Sequence, residues 1–168
     1  MSRLRLNIGD VFSVPIDEAR VGVGQVVATY GTDAYWFAIF DMVANDVASI
    51  DLDRVARQKV LFLALSTDAK LAVGDWTVLG HRPVRDGTPF PAFKEAAGSP
   101  DRIDVVDYTG ERRRRARGAE SELLPNRKIV APVRLEKALR AIHGLGPWQD
   151  TYSDLIPNES MTTARLFG

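Results

Sequence analysis

Residues 9–41 constrain the fold more than any other stretch, because they have the pattern of three strands joined by two tight turns. Val11 to Ile16 places its apolar even-numbered residues on one face, which is typical of a half-buried strand. Val21 to Tyr30 holds Gly22 and Gly24 inside a strand-like pattern, where glycines mark a bulge, a tight bend or close approach of another backbone. Ala34 to Phe40 is nearly all apolar, so we expect a strand covered on both faces. The sequence therefore predicts a curved β-meander.

Three later stretches extend this β-rich part. Val60 to Leu65 is an apolar run of strand length, and Leu71 to Gly80 predicts a Gly-Asp turn followed by a strand and a glycine stop. Arg102 to Arg117 has the pattern of a hairpin around Thr109-Gly110. Residues 81–100 are proline-rich and predict an irregular loop.

A helix is expected from about Val133 to His143, after a change in composition at Gly118. Pro132 suits the first helical position, where its missing N–H costs nothing. Gly144 is a natural stop in the left-handed conformation. The spacing of Leu135, Leu139 and Ile142 gives an apolar stripe that should pack on the sheet.

These elements predict an α+β fold, mostly β. We expect a strongly bent antiparallel sheet, or a partly open SH3-like barrel, of about six or seven strands with the C-terminal helix packed on it. One domain is expected over residues 1–168: a β-rich core (1–117), a linker with the packed helix (118–150) and a C-terminal tail (151–168). Beyond Ile156 the tail is polar and has little reason to be ordered.

Composition excludes several classes of protein. The chain has no cysteine, which excludes disulfides, thiolate metal ligands and a cysteine nucleophile. The 22 Lys and Arg balance the 22 Asp and Glu, so nothing attracts the whole molecule to nucleic acid or anionic lipid. No apolar run reaches the roughly 18 residues of a membrane span, and the N-terminus lacks a secretory pattern. We expect a partner other than nucleic acid or membrane, and the oligomeric state stays open.

No complete catalytic, metal or phosphate-binding motif is present. The two histidines, His81 and His143, stand in no metal-ligand spacing, so we expect no catalytic residue, no metal and no cofactor. The arginines of residues 112–117 could contact phosphates. Ion pairing within the hairpin is the favoured interpretation. The acidic residues close enough in sequence to pair with them are Asp104, Asp107, Glu111, Glu120 and Glu122.

Four segments, taken in order and spacing, resemble immunity protein family 26 of bacterial polymorphic toxin systems. They are GDVFSVPIDEARVGVGQVV, the strand ending FAIFD, LAVGDWTVLG and PVRLEKALRAIHGLGPW. The resemblance spans Ile8 to Trp148 and implies a small cytoplasmic protein that binds and neutralises a cognate toxin domain without a cofactor.

Two alternatives remain open. The same family label covers proteins described as small organophosphate triesterases, an activity that would ordinarily need a metal-activated water. A GDV start before a strand with a proline also opens a family of ribonuclease toxins on an SH3-like barrel. That activity needs a basic cleft, and the neutral charge balance argues against one.

The partner-binding face is predicted on the meander and its turns. Carboxylates at or just beyond the strand ends would form an acidic rim suited to a basic nuclease, and two tyrosines would be aromatic anchors. The predicted partner-binding residues are Asp17, Glu18, Tyr30, Tyr35, Asp41 and Asp46.

Overall fold

The computed structural model describes residues 4–168, which divide into two compact units. The larger unit holds residues 4–86 and 129–156, and the smaller unit holds residues 87–128 and 157–168. A single domain over residues 1–168 stays a prediction.

A five-stranded antiparallel sheet forms the larger unit, in the order β4-β3-β2-β1-β5. Its strands are β1 (Asp10–Pro15), β2 (Val21–Tyr30), β3 (Ala34–Ala44), β4 (Val60–Ser66) and β5 (Thr77–His81). The predicted meander is confirmed, because β1, β2 and β3 are neighbours in the sheet. Strands β4 and β5 are the two edges and do not pair with each other within residues 4–168, so the sheet does not close into a barrel.

The two glycines of β2, Gly22 and Gly24, lie where the strand bends and where other residues pack closely against it. The register between β2 and β3 shifts between Gly22 and Gly24, and such bulges bend a strand and increase its twist. A Cβ atom at Gly22 would lie 2.6 Å from Cδ2 of Leu139. One at Gly24 would lie 2.6 Å from the ring of Phe12 and 2.9 Å from the backbone carbonyl oxygen of Ala38. Both predicted uses of these glycines, bulge and close approach, are therefore confirmed.

Strand β3 is covered on both faces, as its sequence predicts. Phe37 and Ile39 belong to the main core cluster on one face of the sheet. The alternate residues Trp36, Ala38 and Phe40 are also buried. Because successive side chains of a strand point to opposite faces, both faces of β3 are shielded from water.

Helix α4 (Pro132–Ile142) packs on the core face of the larger unit. Its Pro132 lies in the first turn and Gly144 follows its end with φ of 79°, as predicted. Leu135 and Leu139 are 0% and 1% exposed. The prediction for Ile142 is wrong: it is 42% exposed, because it is the last residue of the helix and lies beyond the part that covers the core.

Short helical segments complete the larger unit. They are α1 (Leu52–Val55), α2 (Ala69–Ala72) and the 3₁₀ turns Val47–Ser49 and Asp150–Leu155. The last of these places Tyr152 and Leu155 in the main core cluster.

The smaller unit is built on a three-stranded antiparallel sheet in the order β6-β7-β8. Its elements are β6 (Phe93–Ala96), β7 (Ile103–Val106), β8 (Arg113–Arg115), α3 (Glu120–Leu123) and α5 (Thr163–Phe167). Strands β7 and β8 confirm the predicted hairpin. Strand β6 lies in the segment expected to be an irregular loop, so the described residues form eight strands in two sheets rather than six or seven in one.

Residues 157–168 are ordered in the smaller unit, contrary to the expectation of a loose tail. The N–H of Thr163 donates to the carbonyl of Phe90 at 2.9 Å, and its hydroxyl donates to the carbonyl of Pro91 at 2.7 Å. Leu166 and Phe167 pack against a buried cluster that includes Val105. The polar composition of this segment therefore gives no sign of the few apolar side chains that hold it in place.

Candidate partner-binding surface

Three of the predicted carboxylates lie at one end of the large sheet. Asp17 and Glu18 belong to the turn directly before Val21, the first residue of β2. Asp46 follows two residues after Ala44, which pairs with Val21. We call residues 17–20 and 41–49, which include the end of β3, together the carboxylate end.

Each of these carboxylates has a different local environment. Asp17 accepts hydrogen bonds from the Arg20 guanidinium at 2.8 and 2.9 Å and from the Ala19 N–H at 2.9 Å. The bond from Arg20 is the main cause that lowers the pKa of Asp17. Asp46 caps the 3₁₀ turn Val47–Ser49 by accepting from the Ser49 N–H at 2.8 Å. Glu18 is exposed and has no partner among residues 4–168.

Asp41 lies inside a strand rather than beyond its end, because β3 continues to Ala44. It falls where the pairing with β2 shifts, between the pairs Gly24–Ile39 and Gly22–Val43. Its N–H donates to the carbonyl of Lys59 at 2.8 Å, while its exposed carboxylate has no partner in the described chain. Asp41 and Glu18 are therefore the two predicted carboxylates that are left free for an external cation.

Sequence analysis missed two apolar side chains at the carboxylate end. Val43 and Val47 are 40% and 43% exposed, and they flank Asp46 in the sequence. Residue type gives no signal for this, since valine is usually buried and only the structure shows which valines remain uncovered. Exposed apolar side chains beside acidic residues are a combination that suits a protein interface.

The two predicted tyrosines lie at the opposite end of β2. Tyr30 is its last residue, and Tyr35 lies opposite Thr29. A strand rises about 3.3 Å per residue, so the ten residues of β2 put them about 30 Å from the carboxylate end. The structure therefore does not bring the predicted anchors and the predicted acidic rim together.

Tyr35 also takes part in the core. Its ring stacks parallel to that of Phe37, with centroids 6.0 Å apart, and it packs against the main core cluster. Tyr30 and Tyr35 are both half-buried.

The arginine run forms ion pairs within the smaller unit, as expected. Arg112 contacts Asp107 at 3.5 Å, Arg113 contacts Asp104 at 3.1 Å, and Arg114 makes two 2.8 Å hydrogen bonds to Glu120. The expectation is wrong for Glu111 and Glu122, which have no ion pair among the described residues. Glu95 of β6 pairs with Arg113 at 3.5 Å instead, because the third strand of the sheet brings it there.

Glu120 shows the strongest electrostatic effect of this network. The Arg114 guanidinium, helped by the N–H of Arg117, lowers the pKa of Glu120 to about 2. Glu120 therefore stays ionised at neutral pH, and its pairing with Arg114 neutralises one arginine of β8.

The Gly74-Asp75-Trp76 segment is held by a buried carboxylate, that of Glu136, which sequence analysis missed. Glu136 of α4 is 4% exposed and accepts from the indole N–H of Trp76 at 3.3 Å. Lys70 lies 3.6 Å from Glu136 and 3.1 Å from Asp75, and the bond to Asp75 is the main cause that raises the pKa of Lys70. The segment thus ties the beginning of β5 to helix α4.

The Gly9-Asp10 segment is also structural. Gly9 has a φ of 102°, and a Cβ there would lie 2.6 Å from the ring of His81, so only glycine fits. Asp10 accepts from the Asn7 N–H at 2.8 Å and lies 3.4 Å from Nδ1 of His81.

Within residues 4–168, no group of three or more His, Cys, Asp or Glu side chains could hold a metal ion. None of the helices described is long and apolar enough to cross a membrane.

Comparison with known families gives one match. The model of the family described as Immunity protein 26 matches residues 7–102. This range contains the meander, the carboxylate end and the Gly74-Asp75-Trp76 segment, while α4 and the arginine run lie beyond it. Searches of curated proteins and of solved structures give no match. Because the matched range is more than half of the 168 residues, this chain belongs to the Immunity protein 26 family.

Proposed function

We propose that this chain is an immunity protein that binds and neutralises a cognate bacterial toxin domain in the cytoplasm, through the carboxylate end of its larger unit. The observation that carries the proposal is the family match over residues 7–102, which contains every residue of that end. The free carboxylates and exposed valines there support the choice of surface.

The chemistry of the carboxylate end favours a basic partner. Glu18 and Asp41 have no internal cation, so their charges remain available to a partner. Acidic groups at the rim of an interface steer a basic protein towards it and raise the association rate. Val43 and Val47 offer the apolar contact area that a rim of charges needs at its centre. A cationic toxin domain, such as a nuclease, fits this arrangement.

Tyr30 and Tyr35 lie at the opposite end of β2, which we call the tyrosine end, so they would contact a partner at a place separate from the carboxylate end. A standard interface covers about 800 Å² on each partner. A patch of that size centred on the carboxylate end does not extend to the tyrosine end. Only a partner that spans the length of β2 would reach both.

Glu18→Lys combined with Asp41→Lys is expected to slow association with the toxin domain about tenfold or more at low salt, because it replaces steering by repulsion. The dissociation rate should change much less, and association should become less sensitive to salt. The measurement is binding kinetics at two salt concentrations, against the toxin domain of any toxin gene found beside the gene for this chain.

Glu111→Lys combined with Glu122→Lys is the matched control. It makes the same change in net charge in the smaller unit, at two exposed carboxylates that also lack a partner in the described chain. If both double variants slow association equally, the effect comes from total charge and the carboxylate end is not the interface. If neither changes the rate, the proposed surface is wrong.

A further inference from the structure

The outer edge of β8 is open within the described part of the smaller unit. Strand β8 is the last strand of its sheet and pairs with β7 alone. The Asp107 N–H donates to the carbonyl of Arg112, and the Ala116 N–H donates to the carbonyl of Ile103. In an antiparallel pair, backbone groups face alternately inward and outward, so the N–H groups of Arg113 and Arg115 face outward. Neither N–H has a partner among the described residues, whereas the carbonyl of Arg115 already accepts from the Arg114 guanidinium at 3.1 Å. The two N–H groups therefore leave donors to which a further strand can pair.

Two guanidinium groups beside this edge are free. The first three arginines of the run are paired with Asp107, Asp104 and Glu120. Arg115 and Arg117 are exposed, and neither side chain makes an ion pair among residues 4–168. The charge of Arg117 contributes only a minor part of the lowered pKa of Glu120, which Arg114 dominates. Arg115 is the last residue of β8, and Arg117 follows two residues later, so both guanidinium groups lie near the end of this edge.

We propose that this edge binds an extended acidic segment of a protein partner. The segment adds a fourth strand to the sheet by bonding to the outward N–H groups of Arg113 and Arg115. Carboxylates at alternate positions of the segment then pair with Arg115 and Arg117. This interaction is distinct from the proposed function, because β8 lies outside both the carboxylate end and the family match.

The aromatic residues nearby favour a peptide over a nucleic acid. Single-stranded nucleic acid binds through stacking on open aromatic rings as well as through charge. Phe90 and Tyr108 stack on each other, with centroids 3.9 Å apart. The Phe167 ring lies 5.0 Å from the Arg112 guanidinium and 5.7 Å from that of Arg114. These rings already contact other side chains of the protein, so they are not open to stacking with bases. Two unpaired guanidinium groups would also bind few phosphates.

The probe is a hexapeptide of alternating valine and glutamate with blocked ends, which is titrated against the full chain. Binding is followed by fluorescence anisotropy of the labelled peptide and by the NMR signals of the backbone amides of residues 113 and 115. The glutamate peptide should bind, and Arg115→Glu combined with Arg117→Glu should weaken it about tenfold or more. Arg54→Glu combined with Arg57→Glu makes the same charge change in the larger unit at exposed arginines and should leave binding unchanged. A valine–lysine peptide and a short single-stranded RNA are the comparison ligands.

A second pair of variants separates strand pairing from charge. Arg115→Gln removes the guanidinium and keeps the outward N–H, while Arg115→Pro removes both and breaks no bond to β7. Strand pairing predicts that Arg115→Pro binds the glutamate peptide several-fold more weakly than Arg115→Gln. The proposal is overturned if the glutamate peptide does not bind, if the RNA binds as tightly, if the Arg54 and Arg57 control weakens binding equally, or if the Pro and Gln variants bind alike.

Discussion

Leu139→Asp is expected to lower the free energy of unfolding by about 4 kcal/mol or more. Leu139 is 1% exposed, and its Cδ2 fills the space that the missing side chain of Gly22 leaves over β2. An aspartate there loses the apolar contact and buries a carboxylate among the aliphatic side chains of the core. Chemical denaturation of the purified variant measures the change.

Ile142→Asp is the matched control, since it makes the same substitution on the same helix at a residue that is 42% exposed. An exposed substitution of this kind usually changes stability by less than about 0.5 kcal/mol. If Leu139→Asp is as stable as Ile142→Asp, helix α4 is not packed on the sheet at Gly22.

Trp76→Ala should destabilise the larger unit by about 3 to 5 kcal/mol. The Trp76 ring is 1% exposed, stacks parallel to Phe12 with centroids 5.3 Å apart and meets Phe37 edge-on at 6.0 Å. Its loss leaves a cavity and removes the 3.3 Å hydrogen bond to the buried carboxylate of Glu136. Thermal and chemical unfolding of the variant measure both losses together.

Trp76→Phe separates the two contributions in part, because it keeps one aromatic ring and removes the indole N–H together with a smaller volume than Trp76→Ala does. It should cost about 1 to 3 kcal/mol, as expected for a buried acceptor that loses its donor. Trp148→Ala is the control for loss of a tryptophan, since Trp148 is 41% exposed and its ring lies 6.3 Å from that of Phe62. A cost for Trp76→Ala no larger than for Trp148→Ala would contradict the role assigned to the Gly74-Asp75-Trp76 segment.

The elements that the sequence predicts best are those whose local pattern and burial agree. Strand β2 begins and ends where its pattern predicts, and α4 has the proline and glycine signals that mark helix ends. Strand β6 is only four residues long, and two of them are exposed, so it carries no periodic signal. It forms because β7 pairs with it, which is a tertiary effect that local pattern does not show.

The candidate surface is predicted less well, because residue type does not show which groups come together. In an antiparallel meander successive turns lie at opposite ends of the sheet, which separates Tyr30 and Tyr35 from Asp17 and Glu18. Asp17 is bound by its own neighbour Arg20, whereas Glu18 is free. Residue type likewise does not show that Val43 and Val47 are exposed at the carboxylate end. Sequence therefore identifies the acidic residues, and the register of the strands decides which of them can act together.

We propose that this chain neutralises a toxin domain through its carboxylate end. The most direct test of this proposal is the residual activity of a purified toxin domain, taken from any toxin gene found beside the gene for this chain and titrated with the purified chain. We expect activity to be lost at equimolar chain. The Glu18→Lys and Asp41→Lys double variant should need a higher concentration, while the Glu111→Lys and Glu122→Lys variant should inhibit as the unmodified chain does. Full toxin activity in an excess of the unmodified chain would contradict the account.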